Sequence, residues 1–92
     1  MSKVVHIGNG AGFSGDRFDA ALALVQHLKT CEGPRYLMFE VLAERTIALA
    51  QKAKAANPDA GFSPYIDKYV SNVLADIQQW GIKLVSNLGA AN

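Results

Sequence analysis

Lys3-Val4-Val5-His6-Ile7-Gly8-Asn9-Gly10-Ala11-Gly12-Phe13-Ser14-Gly15-Asp16 is the stretch that decides how this chain is read. Its first half, Lys3 to Gly8, is a short β-rich run that ends at glycines, and an amphipathic pattern follows it. Within the glycine cluster, Gly10, Gly12 and Gly15 satisfy the G-x-G-x-x-G spacing between a strand and a helix. That spacing needs glycine because the backbone must turn tightly and leave N–H groups at a helix start open to an anion. The candidate ligand-binding residues are therefore Asn9, Gly10, Ala11, Gly12, Phe13, Ser14, Gly15 and Asp16. Two features depart from a simple dinucleotide fingerprint: Gly8 lengthens the loop, and Asp16 puts a carboxylate where a phosphate would sit. A loop that is only a tight turn is the competing reading.

Outward from this stretch, Asp16 is expected to cap a helix running to about Lys29. Phe18, Ala21, Leu22, Val25 and Leu28 carry its buried stripe at helical spacing. A second strand is expected at residues 36–40 and a third at 82–87, each an almost continuous apolar run. Such runs suit strands covered on both faces, and hence a parallel sheet. A second helix begins near Leu42 or Ala43 and ends at Asn57-Pro58, where Asn57 tolerates the left-handed conformation. A third starts at Ser63-Pro64 and stops at Gly81, with Ile66, Val70, Val73, Leu74, Ile77 and Trp80 as its stripe. The order strand, helix, strand, helix, helix, strand predicts an α/β fold. It is a three-stranded parallel sheet with flanking helices, a Rossmann-like half built from right-handed crossovers.

Ninety-two residues allow one domain, with 50% apolar residues arguing against disorder. Nine basic and eight acidic residues leave a net charge of +1 and no basic stripe, which excludes a nucleic-acid footprint. No stretch is long and apolar enough for a membrane span, and the start of the chain lacks a secretory signal. Cys31 is the only cysteine, so an intramolecular disulfide is impossible, and a free thiol fits a cytoplasmic chain. The two histidines, His6 and His27, have neither metal-ligand nor triad spacing, and no metal site is expected.

Parallel strands bring their carboxyl ends to one edge, where ligands of open α/β sheets bind. Asn9, Glu40 and Asn87 are expected there side by side. Glu40 is the candidate general base and Asn87 its candidate catalytic partner, with ion pairing of Glu40 to Arg17 or Arg45 as the alternative. CoA or a nucleotide is compatible with the loop. Too much apolar surface for so short a chain, Leu24 and Leu49 included, predicts a homo-oligomer or a partner chain completing the sheet.

Three blocks resemble a known family: Ile-Gly-Asn-Gly-Ala-Gly-Phe-Ser-Gly-Asp-Arg (7–17), Phe-Glu-Val-Leu-Ala-Glu-Arg-Thr (39–46) and Val-Ser-Asn-Leu-Gly-Ala-Ala-Asn (85–92). They are similar to amino-terminal blocks of the acyclic terpene utilisation family, in order and approximate spacing. The resemblance implies that residues 1–92 are one α/β unit, the N-terminal part of a larger family domain. It further implies a metabolic protein of acyclic terpene and acyl-CoA breakdown. Three functions stay open: binding a phosphate- or CoA-bearing small molecule at the loop, a non-catalytic structural subunit, and a small nucleotide-binding module.

Overall fold

The computed structural model describes residues 3–92. Strands β1 (His6–Ala11), β2 (Arg35–Phe39) and β3 (Lys83–Ser86) form one parallel sheet in that order. Helix α1 (Ala20–Leu28) joins the first pair. Helices α2 (Glu44–Ala56), α3 (Ile66–Val70) and α4 (Leu74–Gln79) join the second. The parallel α/β unit expected from the apolar runs is the fold.

Strand β1 starts later than expected and runs through its glycines instead of ending at them. The reason is close packing. A Cβ on Gly8 would meet Leu24 and Leu28 of α1, and one on Gly10 would lie 2.6 Å from the Phe39 ring. Glycine at position 10 lets the aromatic ring sit directly on the strand, while a Cβ at position 8 would make ordinary van der Waals contact with α1. Gly10 is also the extra residue in a bulge, since Asn9 pairs with Met38 and Ala11 with Phe39.

Asp16 does not cap α1, which begins four residues later at Ala20. The third expected helix is two short ones: the Ser71 hydroxyl donates back to the Asp67 carbonyl, and the Val73 amide donates to Val70. Back-bonding of this kind tightens a helix end and breaks the run. Ser63 and Pro64 form the turn before α3 rather than its first residues, and Asn57 is extended at φ −145°.

The core lies on one side of the sheet. Leu37 and Phe39 of β2 pack with Ala21, Val25 and Leu28 of α1, Tyr69 of α3, and Val73 and Ile77 of α3–α4. Sequential strand order with right-handed crossovers sends both crossovers over the same face. The expectation of cover on both faces is therefore overturned. Ile7, Tyr36, Met38 and Val85 share the opposite face through the register, and Ile7 and Val85 are 66% and 53% exposed. Of the expected third stripe, Leu74 and Trp80 remain exposed and Tyr69 takes the deepest place.

Helix α2 contributes nothing to this core, and none of its residues is buried. It stands out from the sheet, and the radius of gyration of 14.6 Å exceeds the roughly 12 Å of a compact chain this size.

Candidate functional site

The carboxyl edge of the sheet collects the polar residues that the sequence singles out, but in two separate groups. The first joins the ends of β2 and β3. Asn87 Nδ2 donates to Glu40 Oε1 at 3.1 Å, and Asn87 Oδ1 accepts from the Val41 amide at 2.9 Å. The same Glu40 oxygen accepts from the Leu42 amide at 2.8 Å. These bonds favour the charged carboxylate, the Leu42 amide first and Asn87 second, and hold Glu40 below its ordinary value of 4.5. Glu40 is thus ionised at neutral pH, a weak base bonded to the backbone beside it. It pairs with neither Arg17 nor Arg45; Arg17 lies bidentate on Asp19, with its Nε 2.7 Å from Oδ1.

The second group is the glycine loop. Asp16 Oδ2 accepts from the Gly12 amide at 3.0 Å and Oδ1 from the Arg17 amide at 2.8 Å. These two bonds keep the Asp16 carboxyl below its ordinary value of 3.8, the Gly12 amide contributing most. The carboxylate thus holds part of the anion position a phosphate would take. Among the described residues, the amides of Phe13 and Ser14 donate to no protein acceptor; the Gly15 amide faces the Tyr69 oxygen, and Gly15 takes the left-handed φ of 85°. Gly12 differs from Gly10: a Cβ there meets only Asp16 Oδ2, at 4.0 Å, so the space in front of the loop is open. Asn9 stands apart from both groups, on the uncovered face beside Met38, with its Oδ1 3.3 Å from the Ala11 amide.

A residue outside the candidate site, Tyr69 of α3, fastens this loop. Tyr69 is fully buried between Phe18 and Phe39, with ring centroids 4.8 and 5.2 Å away. Its hydroxyl donates to the Asp16 carbonyl at 2.9 Å. Burial raises the phenol above its ordinary 10.0, so it stays a donor at neutral pH. The signal was present in the sequence: Tyr69, Val73 and Ile77 are spaced four apart, which makes a hydroxyl part of an otherwise apolar stripe.

A cleft of about 490 Å³ opens beside the loop, between α2 and the connector at residues 60–65. Ser14 of the loop is on its wall, and so are Val41, Leu42, Arg45, Leu49, Ala53, Phe62 and Tyr65. The connector is held in place by the turn after β3. The Ser63 amide donates to the Leu88 carbonyl at 2.7 Å, the Ala91 amide to Gly61 at 2.8 Å, and Lys54 Nζ to Ala91 at 2.9 Å. Sequence reading missed this cleft; its traces were Leu49, off the main helical stripe, and Phe62, an aromatic in a turn-rich connector.

Among the described residues no group of His, Cys, Asp and Glu is placed to hold a metal ion, and no helix is long and apolar enough to cross a membrane. Cys31 is half-buried past α1, with Sγ 3.5 Å from the His27 carbonyl. The family model described as acyclic terpene utilisation family protein AtuA matches residues 5–92. No curated protein and no solved structure matches the chain.

Proposed function

This chain belongs to the acyclic terpene utilisation family, and from that premise we propose that it binds a phosphate- or CoA-bearing metabolite at the loop from Gly12 to Asp16, with Asn9, Gly10 and Ala11 left inside β1. The observation that carries the reading is the pair of successive amides at Phe13 and Ser14, without protein acceptors, at the carboxyl edge of a parallel sheet. Asp16 narrows that site by occupying the Gly12 amide, so the anion meets the amides beyond it. Glu40 and Asn87 hold the strand ends in this reading, and proton transfer falls to Glu40, with Asn87 as a hydrogen-bonding partner, only if the ligand displaces their mutual bond. The uncovered sheet face is taken up by a second copy or a partner chain.

The test is a series of thermal melts with CoA, ADP and NAD. A ligand at a hundredfold excess over its dissociation constant stabilises the native state by about 2.7 kcal/mol. Gly12→Val fills open space without meeting the core, so it should leave the unliganded melt nearly unchanged and remove the ligand-induced rise. A variant that responds to every anion as the parent does would reduce the loop to a turn, with Asp16 as its internal anion.

A further inference from the structure

We propose that the cleft between α2 and the connector is a subsite for an extended apolar chain carrying one anionic group, with Arg45 receiving the charge. The inference extends the loop site of the preceding reading, yet it stands on different residues. The walls are chiefly apolar: Leu49 and Ala53 on α2, Phe62 and Tyr65 opposite. Arg45, Leu49 and Ala53 recur every fourth residue, so one face of α2 lines the cleft from end to end. The eight rises from Arg45 to Ala53 span about 12 Å, enough for a chain of roughly ten carbons laid along the helix. Far from the loop the cleft is closed, because Gly61 approaches α2 so tightly that a Cβ on it would lie 2.9 Å from Lys54 Cβ.

Charge decides the other end. Thr46 Oγ1 is bonded to Ala43, and Ser63 Oγ accepts from the Tyr65 amide. Arg45 makes neither an ion pair nor a side-chain hydrogen bond among the described residues. An arginine free of partners at an apolar cleft matches a carboxylate or phosphate, which it can hold by two parallel bonds. The volume of about 490 Å³ lies within the range of small-molecule sites. Occupancy would also give α2 the apolar cover it lacks, since its Leu49 is 51% exposed.

Titration calorimetry of the whole chain with decanoate, 1-decanol and inorganic phosphate tests this. Decanoate should bind saturably and at least roughly tenfold more tightly than 1-decanol, the worth of one charge-assisted bond. Arg45→Gln should reduce decanoate to the level of the alcohol, and Leu49→Asp should abolish both. Each change sits on an exposed position of a helix outside the core, so unchanged melts are expected of the unliganded variants. Retention of parental decanoate affinity by either variant, or no saturable binding by the parent, overturns the proposal. Phosphate separates the two readings: Gly12→Val should weaken phosphate and leave decanoate bound, so the loop can fail while the cleft stands.

Discussion

The two faces of this sheet are built from the same three strands and have opposite fates. On one, Leu37 and Phe39 disappear beneath α1, α3 and α4. On the other, Ile7 and Val85 stay exposed beside the half-buried Tyr36 and Met38, with the Lys83 ammonium lying over the Tyr36 ring. Hydrophobicity is similar on both, so it does not explain the difference. Topology does: a sheet wound in sequential order carries its crossovers on one side. The strands read as doubly buried because their residues are apolar on both faces, and only the winding reveals which face this segment covers itself. The same asymmetry explains the glycines. Gly8 and Gly10 face the covered side, where Gly10 admits the Phe39 ring at close range, while Gly12 faces open space.

The comparison breaks most visibly at the covered face. Phe39→Ala removes a fully buried ring that meets both Gly10 and Tyr69. A loss of about 3–5 kcal/mol is expected, enough to unfold a small domain, and chemical denaturation would measure it.

A smaller effect is expected at the carboxyl edge as the pH falls. Glu40, Asp16 and Asp19 are all held below their ordinary values in the folded chain, by the Leu42 amide, the Gly12 amide and Arg17 respectively. A depressed carboxylate contributes stability above its unfolded value and loses it as the pH falls through the folded one. The melting temperature should therefore hold steady near neutrality and decline from roughly pH 5 downward. Asn87→Ala removes one of the two bonds depressing Glu40 and should flatten that decline. A decline equally steep in the variant would assign it to the other carboxylates.

The smallest change in stability belongs to the uncovered face. Ile7→Thr and Val85→Thr replace exposed residues, and each should shift unfolding by no more than about 0.5 kcal/mol. Their effect should appear instead in association, as a lower average mass by light scattering at equal concentration. Losses like that of Phe39→Ala would mean that this face is buried in the folded species and already part of a core.

Much was legible before the chain was folded. Apolar runs at 36–40 and 82–87, the stop at Gly81, and the stripe Phe18, Ala21, Leu22, Val25 and Leu28 each rest on local chemistry, and each formed close to where it was read. Leu22 alone of that stripe is left exposed. Glu40 and Asn87 were legible as neighbours, because parallel strands of similar length end together. Asn9 was not: β1 extends past Gly8 to Ala11, so Asn9 lies within the strand beside Met38 and short of the edge where Glu40 follows Phe39. The cap at Asp16 also misled, since a carboxylate before an amphipathic run signals a helix start equally well whether it bonds the helix or closes a loop.

The sequence by itself determined the element types, their order and the parallel sense of the sheet, since periodicity, turn chemistry and crossover length are properties of neighbouring residues. Only the tertiary structure decided which sheet face is covered, that Tyr69 fastens the glycine loop to α3, and that α2 and the connector part to leave a cleft beside Arg45. Those outcomes depend on distances between residues far apart in the chain: Tyr69 reaches Asp16 across 53 positions, and the connector is held against α2 by bonds from the turn after β3. No local pattern encodes such distances, because they are set by how the crossovers wind and how closely a glycine lets them approach.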